Sequence, residues 1–502
     1  MYANEEFQLI AARTASVPVD MPWRRERPFM NPDAKFVRNG GLTKRPRHEQ
    51  ISAIIGKNGT GKSHLLSAIV KTFIALENAQ QKQREKVGNL PLDYLAYRVD
   101  GRRCEIEQSG KRGLTFKIDG LDVSLSQIPL PRRVIALTIS PFDKFPVPRN
   151  LRARGDDLPK TIYRYLGLRD RFGKASIENL LYRSLISLFE ESENEALRRA
   201  NIGAVFSFLN LEPRIRIIFR LRVSRAVREA IFNGEQLDFK EQFGYSQIRA
   251  LEDLERAGIA IEELRKQLKI ALDRSVGNRI EINVDFQSGG ILDDLFFQLH
   301  ALRKARLLSL SGVEVTHTSG LSSDLKSASS GQLSMVSALI SLASAIDSGS
   351  LVLIDEPELS LHPEWQVKYV DLLAKTFARY EGCHFVVATH SPLVISELPS
   401  HADVISLDKE RLQSAEELVG QSSDFLLAEA FDFPTGGNLY VKNQIFEALR
   451  LVSAGKSRSQ NFQDILSDLR KIEMALPQDD PSKIIINELQ SVADHAGKAT
   501  KK

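Results

Sequence analysis

A glycine-rich segment of eight residues carries the clearest chemical signal in the sequence. It reads Gly56-Lys57-Asn58-Gly59-Thr60-Gly61-Lys62-Ser63 and fits the phosphate-binding pattern G-x-x-x-x-G-K-S. Glycines let backbone N–H groups turn towards phosphate oxygens, and the helix that follows adds a positive field. Lys62 should reach the β- and γ-phosphates of a nucleotide, and Ser63 should bind Mg²⁺. The alternative is a chance glycine turn, but the flanking strand and helix patterns favour a phosphate loop.

Two acidic residues follow an apolar strand later in the chain. Leu351 to Ile354 have the pattern of a buried strand, which ends in Asp355-Glu356. In a parallel sheet, an acid at the carboxyl end of such a strand lies beside the phosphate loop. We therefore predict that Asp355 holds Mg²⁺ through water and that Glu356 polarises the attacking water as a general base. The alternative is a strand that ends in a solvated acidic turn, but the presence of the phosphate loop favours the nucleotide site.

Two further segments resemble motifs of the ABC-type ATPases. The stretch Ala328-Ser329-Ser330-Gly331-Gln332 opens an apolar helix and is similar to the family signature L-S-G-G-Q. The resemblance implies that Ser329, Gly331 and Gln332 bind ATP, the first two at the γ-phosphate. Phe385 to His390 resembles the switch strand, which implies that His390 senses the γ-phosphate. In the family, the signature of one subunit closes on the nucleotide of another, so the resemblance implies a homodimer or higher oligomer with shared ATP sites.

The residues after the acidic pair narrow the resemblance. Asp355 to Gln366 resembles OLD-like and SMC-related ATPases rather than transporter ATPases, and Ser360 to His362 is then implied to cross the dimer interface. OLD nucleases continue into a Toprim domain, but residues 391–407 lack its start, and the sequence has no H-N-H or clustered Cys/His nuclease pattern. An ATPase of this layout resembles PtuA, the ATPase of Septu and retron-associated antiphage systems. The resemblance implies a separate HNH nuclease partner of the PtuB type, and for some systems a retron reverse transcriptase with its RNA–DNA.

The leading hypothesis is thus an ATP hydrolase, without a recognised nuclease motif of its own, that regulates a nuclease in antiphage defence. The alternative is an SMC-type DNA-repair ATPase that clamps DNA when it binds ATP. An anticodon nuclease fused to an ABC head would need an Arg/Glu/His set in the tail, and the spacing of Arg470, Glu473 and His495 matches no such set.

The elements that must position these residues predict an α/β fold. We expect an ABC-ATPase head, in which a parallel sheet with the P-loop is joined by an antiparallel layer, with a mainly helical insertion and a helical tail. Ser63 to Glu77 has helical spacing, and Tyr94 to Ile118 contains three alternating runs typical of antiparallel strands. The predicted domains are residues 1–150 and 305–400 for the two lobes of the head, 151–304 for the insertion and 401–502 for the tail.

The composition excludes several other classes of protein. The 502 residues carry a formal charge of +4, with 42% hydrophobic and 26% charged residues, which is typical of a folded globular chain. The two cysteines exclude a disulfide framework and fit a reducing cytosol. The first residues are acidic and lack the apolar core of a signal peptide, and the longest apolar stretch is too short to span a bilayer. We expect a cytoplasmic protein without membrane contact.

Three surface features leave alternatives open. Arg214, Arg216, Arg220 and Arg222 have the same parity, so on one strand they would share a face that either contacts nucleic acid or pairs with carboxylates. In the tail, apolar residues either dock a partner or cover the head: Phe425, Leu426, Phe431, Phe433, Leu439 and Tyr440. Trp23 or Phe36 could stack on adenine. Ser140 to Asp143 occupies the place of the family's glutamine loop without its glutamine.

Overall fold

A mostly parallel sheet of seven strands forms the centre of the fold. The computed structural model describes residues 6–14, 32–37, 50–82, 87–109, 113–148, 161–169, 195–235, 242–256, 258–286, 295–325, 330–359, 361–408, 411–435, 437–476 and 478–498. In order across the sheet the strands are β17 (Arg411–Ser414), β16 (Asp403–Ser406), β3 (Gln50–Ile55), β15 (His384–Ala388), β14 (Ser350–Asp355), β8 (Arg133–Thr138) and β9 (Tyr163–Leu166). Neighbouring strands are parallel, except that β17 is antiparallel to β16.

An antiparallel sheet of six strands covers one face of the central sheet. Its order is β2 (Asp33–Lys35), β1 (Phe7–Thr14), β4 (Leu92–Val99), β5 (Arg102–Ser109), β6 (Gly113–Ile118) and β7 (Leu121–Asp122). Helix α1 (Lys62–Gln81) lies in the same layer, and Leu9, Phe73 and Leu353 bring the two sheets and the helix into one buried core. The predicted α/β fold, with its parallel sheet and antiparallel layer, is therefore confirmed.

A second antiparallel sheet contributes to the core on the other face. Its order is β11 (Arg279–Asp285), β10 (Leu211–Leu221), β12 (Leu308–His317) and β13 (Ser322–Asp324). Buried residues of β10, such as Ile217 and Phe219, share a core with Val352 of β14 and Phe385 of β15. The sequence predicted β10 as one strand within a helical insertion, but β11 was not predicted.

The remaining helices are distributed around these sheets. Those between strands β9 and β12 are α2 (Glu195–Phe208), α3 (Arg225–Phe232), α4 (Tyr245–Arg256), α5 (Ile261–Asp273) and α6 (Leu295–Lys304). Within the central α/β region lie α7 (Ser330–Ala345), α8 (Pro363–Phe377) and α9 (Pro392–Ser396). The tail adds α10 (Ser423–Glu429), α11 (Leu439–Ser453), α12 (Gln460–Glu473) and α13 (Ser482–Lys498), the last three of which pack around their own small core.

The domain boundaries themselves stay a prediction. Strand β12, which begins after residue 304, pairs with β10 of the predicted insertion, and β16 and β17 of the predicted tail extend the central sheet. Both cysteines are buried, and they do not form a disulfide. Within the described ranges, every helix is too short or too polar to cross a lipid bilayer.

A buried histidine connects the central sheet to the six-stranded antiparallel sheet through hydrogen bonds. Nδ1 of His384, the first residue of β15, accepts the backbone N–H of Leu9 at 2.9 Å, and Nε2 lies 2.9 Å from Oγ of Ser52 in β3. Because Nδ1 accepts a hydrogen bond in the neutral ring, Nε2 carries the proton and donates it to Ser52. Burial lowers the pKa of His384 to about 3, so the ring is uncharged in the folded protein at neutral pH.

This histidine should give stability a measurable pH dependence. Its pKa is about 6.5 in the unfolded chain, so below that pH the unfolded state binds a proton that the folded state does not. The wild-type protein should therefore lose up to about 2 kcal/mol more unfolding free energy than a His384→Leu variant between pH 7 and pH 5. Urea unfolding at both pH values measures this difference. A His317→Asn variant is the control, and equal pH slopes for wild type and His384→Leu would contradict the assignment.

Candidate functional site

The phosphate loop leaves β3 and ends at the first turn of helix α1. Gly56 has φ +154°, and a Cβ atom there would lie 2.8 Å from Oγ1 of Thr60. Gly61, the N-cap of the helix, has φ +96°, a conformation that favours glycine because it has no Cβ. The glycines thus set the curvature of the loop, and they place Lys62 and Ser63 at the N-terminus of α1, where the helix dipole favours an anion.

Lys62 is a buried cation held by the loop's own carbonyl groups. Its Nζ donates to the backbone oxygens of Gly56 at 2.7 Å and Lys57 at 3.2 Å. Burial lowers the pKa of Lys62 to about 8, against the opposing field of nearby carboxylates, of which Asp408 acts most strongly. The side chain is thus mostly charged at neutral pH. It lies at the N-terminus of helix α1, where phosphate oxygens would bind.

Ser63 and Asp355 meet between helix α1 and strand β14. Oγ of Ser63 donates to Oδ1 of Asp355 at 3.0 Å. Asp355 is only 3% exposed, and burial raises its pKa to about 7. A desolvated carboxylate beside a hydroxyl fits Mg²⁺, which prefers oxygen ligands and commonly takes one or two protein ligands together with phosphates. The described residues contain no group of three or more His, Cys, Asp or Glu placed to hold a metal.

Glu356 and His390 face each other across the same edge of the sheet. Glu356 has φ +51°, a strained conformation for a side chain other than glycine, and its N–H bonds to the carbonyl of Ala388 at 2.9 Å. His390 lies with Nδ1 3.5 Å from Lys62 Nζ and Nε2 3.9 Å from Glu356 Oε1. Burial and the Lys62 charge lower the pKa of His390 to about 4. The ring is thus neutral, and since Nδ1 faces an ammonium group, the proton belongs on Nε2, towards Glu356.

Glu358 is a buried carboxylate that the sequence analysis missed. Its Oε1 accepts the backbone N–H of His390, while Oε2 has no hydrogen-bond partner within the described part of the chain. Burial raises the pKa of Glu358, and the hydrogen bond from His390 opposes that rise. Glu358 therefore fixes the backbone that carries the His390 ring, which makes it a positioning residue. Its position two residues after Glu356, the predicted general base, was the sequence signal that could have identified Glu358 as a site residue.

Asp408 is a second acid that the sequence analysis missed. Its Oδ2 accepts the backbone N–H of Lys57 at 2.7 Å, so it holds the same residue whose carbonyl accepts Lys62 Nζ. Asp408 follows the apolar strand β16, and this is the same strand-then-acid pattern that identified Asp355. The carboxyl ends of β3, β14 and β16 thus all contribute to one cluster of charges.

A cleft of about 560 Å³ opens beside these groups. Ser63, Asp355 and Glu356 line one part of it, and residues 139–144 with Leu359 line the rest. Ser140 to Asp143 therefore do lie next to the predicted magnesium position. The Asp143 carboxylate, however, is held by Oη of Tyr165 at 2.9 Å and by the Arg169 guanidinium, so it is not free to bind a metal.

The outcomes for the other predicted residues differ. Gly331 is buried in the first turn of α7, at the predicted helix N-terminus, and the cleft-lining residues do not include it. Ser329, Ser360, Trp23 and the side chain of Gln332 lie outside the described residues.

Phe36 is 1% exposed and packs edge-on against His384. The expectation that Phe36 could stack on adenine is therefore wrong, because a ring enclosed in the core cannot contact a nucleotide.

Comparison with known proteins gives matches to ATPases. Residues 154–396, a little under half of the chain, match the family described as "AAA domain, putative AbiEii toxin, Type IV TA system". Two relatives are the "Retron Ec83 probable ATPase" of Escherichia coli and the "Retron Vc95 probable ATPase" of Vibrio cholerae serotype O1 biovar El Tor. The first is 32% identical over 87 residues, 17% of this chain and 16% of the relative. The second is 30% identical over 133 residues, 26% of this chain and 22% of the relative.

These sequence matches and the geometry of the site together support an ATPase. The matched segments span only about a fifth of each retron relative's length. Two solved structures align with the chain over most of their length. The SMC head domain from Thermotoga maritima has a TM-score of 0.32 and 11% identity, and the alignment covers 80% of this chain and 94% of that chain. The Smc head domain with an extended coiled coil from Pyrococcus furiosus has a TM-score of 0.29 and 12% identity, and the alignment covers 83% of this chain and 98% of that chain. Both TM-scores are below 0.5, and the assignment does not depend on them.

Replacing Glu356 by glutamine should stop turnover without preventing ATP binding. The amide keeps the size of the side chain but cannot accept a proton from water, so kcat should fall by at least about 100-fold. Phosphate release and equilibrium ATP binding by the purified chain measure the two effects. Glu364→Gln is the control, because Glu364 lies exposed on α8 in an ion pair with Lys368. Turnover at the wild-type rate in Glu356→Gln would refute the assigned base.

Replacing Glu358 should affect kcat rather than KM. In Glu358→Ala the His390 N–H loses its acceptor, the ring shifts relative to Lys62 and Glu356, and kcat should fall by up to about 100-fold. KM for ATP should change little because the phosphate loop is intact. Glu358→Gln keeps an oxygen acceptor of the same length and should restore most of the turnover. Equal impairment of both variants, or a change confined to KM, would contradict the positioning role.

Proposed function

We propose that the chain is the ATP-binding and ATP-hydrolysing regulatory subunit of an antiphage defence complex. It would control a separate HNH nuclease of the PtuB type, in some systems together with a retron reverse transcriptase and its RNA–DNA. The observation that carries the ATPase part is the convergence of Lys62, Ser63, Asp355, Glu356 and His390 at one edge of the sheet. The retron ATPases to which the chain is similar support the defence setting.

The geometry supplies a role for each group in hydrolysis. The Lys62 ammonium and the N-terminus of α1 would bind the phosphates of ATP, and Ser63 with Asp355 would hold Mg²⁺. When bound, Mg²⁺ neutralises charge on the β- and γ-phosphates. Glu356 would orient the attacking water and take its proton, while the neutral His390 would donate its Nε2 proton in a hydrogen bond to the γ-phosphate. These groups act through position and charge, which is the main requirement of phosphoryl transfer.

The ATP site is proposed to be completed by a second copy of the chain. Gly331 is outside the cleft-lining residues, and helix α7, which it opens, packs against strands β8 and β9. A second subunit, arranged head to tail, would bring its Ser329, Gly331 and Gln332 to the γ-phosphate. Because each chain has one phosphate loop and one signature, a two-fold dimer satisfies both sites at once. ATP binding would then close the dimer, and hydrolysis would open it.

The tail offers a surface for the nuclease. Of the predicted docking residues, Leu426 and Phe431 are buried and so serve the core, whereas Phe433 and Leu439 are exposed. Phe446 and Leu449 are also exposed, and their spacing from Leu439 continues one stripe along helix α11. We define Phe433, Leu439, Phe446 and Leu449 as the tail stripe and propose that the nuclease docks there. Exposed aromatic and aliphatic anchors of this kind are typical of protein interfaces.

Purification of the tagged full-length chain from its native host tests the proposal. We expect an HNH protein in stoichiometric amount, identified by mass spectrometry, and its loss in a Leu439→Ser/Phe446→Ser variant that still hydrolyses ATP. Met474→Ser is the matched control, because Met474 is an exposed apolar residue outside the stripe. A bare dimer that carries only DNA would contradict nuclease control and favour a DNA-clamping ATPase. Loss of ATP hydrolysis in the tail variant would contradict the separation of the two surfaces.

A further inference from the structure

The arginine row on strand β10 divides into two chemically different halves. Arg214, Arg216, Arg220 and Arg222 are all exposed, which confirms that they share the solvent face of the second antiparallel sheet. The sequence left open whether this face pairs with carboxylates or contacts nucleic acid. The neighbours of each arginine on β11 and β12 answer that question separately for the two ends of the strand.

The first half of the row is neutralised by ion pairs. Nε of Arg214 lies 3.2 Å from Oδ2 of Asp285 on β11, and Nη1 of Arg216 lies 3.2 Å from Oε2 of Glu314 on β12. Both arginines are therefore compensated by carboxylates on adjacent strands. The charges of Arg214 and Arg216 are thus each balanced by a neighbouring carboxylate.

The second half of the row has no carboxylate partner among the residues that the structure describes. Arg220 lies directly opposite Arg279 on β11 and opposite Ser309 on β12, and Nε of Arg222 donates to Oγ of the same serine at 3.0 Å. Neither Arg220 nor Arg222 forms an ion pair with a described residue. Like charges directly opposite each other destabilise a sheet. Arg279 has a carboxylate neighbour, Glu281, whose Oε1 lies 3.6 Å from its Nη2.

Helix α4 adds to the same end of the sheet. Nε2 of Gln247 donates to the backbone oxygens of Arg222 at 3.0 Å and Arg306 at 3.3 Å, which fixes the first turn of the helix beside the arginines. Arg306 is exposed and has φ +61°, a conformation unusual for a residue other than glycine. Tyr245, the first residue of α4, is 80% exposed. We call Arg220, Arg222, Arg279 and Arg306 the arginine end.

We propose that the arginine end binds the phosphodiester backbone of a nucleic acid. Guanidinium groups match phosphate oxygens with two parallel hydrogen bonds. Arg220 is in β10 and Arg222 follows one residue past its end, and two positions of an extended chain span about 6.7 Å. That spacing suits successive phosphates of one strand. Exposed Tyr245 adds an aromatic surface on which an unpaired base can stack. This binding depends neither on the proposed nuclease control nor on ATP hydrolysis. It adds a nucleic acid as a further partner of the chain.

Charge-matched variants of the full-length protein test the proposal. Arg220→Gln/Arg222→Gln removes two charges from the arginine end, and Arg214→Gln/Arg216→Gln removes two charges from the paired half of the same strand. Fluorescence anisotropy with labelled duplex DNA, single-stranded DNA and RNA, at several salt concentrations, measures affinity and its salt dependence. For duplex DNA, the arginine-end variant should lower the slope of log K against log salt by about 2. The control pair should leave the slope close to that of the wild type.

The arms also distinguish which nucleic acid is bound. A preference for single strands that is lost in Tyr245→Ala, with duplex binding unchanged, would assign the site to single-stranded DNA or RNA. Equal losses in both arginine pairs, or unchanged binding in the arginine-end variant, would overturn the proposal, as would salt-dependent binding of an acidic protein but not of any nucleic acid. ATP turnover without nucleic acid and the urea midpoint, measured on both variants, show that the fold and the ATPase site are intact.

Discussion

The buried ammonium group of Lys62 is the charge on which the arrangement of the site depends. A cation removed from water must be surrounded by oxygen atoms or negative charge, and the phosphate loop supplies both through its own carbonyls and through neighbouring carboxylates. Those carboxylates come from the ends of two different parallel strands, with Asp355 and Glu356 after β14 and Asp408 after β16. Without the cation, the acids would repel one another in a poorly solvated space. Burial, together with the Lys62 charge, also keeps the His390 ring neutral.

Rigid elements hold this arrangement in place. The strands that carry Asp355 and precede Gly56 are buried on both faces of the central sheet, and such strands position their terminal residues with little freedom. The left-handed backbone of Glu356 persists because its N–H is bonded to the adjacent strand. A general base is thus held in a fixed place before any substrate arrives, which is how a site lowers the cost of reorganisation during reaction.

The sequence predicted the groups whose chemistry depends on local spacing. The phosphate loop, Asp355, Glu356 and His390 each lie at the end of a recognisable apolar strand, and the parallel sheet brings those ends together. Glu358 and Asp408 were missed because, although each lies just after an apolar strand, the backbone N–H groups that they accept lie 32 and 351 residues away, and sequence position alone does not show that pairing. Strand β11 was missed although Arg-Ile-Glu-Ile-Asn-Val-Asp alternates strictly, since the surrounding residues have helical periodicity. Shared parity identified the face of the arginines, but only the register of β11 and β12 distinguishes paired from unpaired ones.

We propose that the groups at the carboxyl edge of the parallel sheet bind and hydrolyse ATP, and that binding of the phosphates requires Lys62. Single-turnover conversion of radiolabelled ATP by an excess of purified full-length chain, with Mg²⁺ and then with chelator, measures this most directly. The account predicts that the wild-type chain releases phosphate only with Mg²⁺, and that Lys62→Ala, which keeps the helix but removes the cation, neither retains ATP nor releases phosphate. Equal phosphate release by Lys62→Ala and wild type, or none by the wild-type chain while it retains ATP and Mg²⁺, would contradict it.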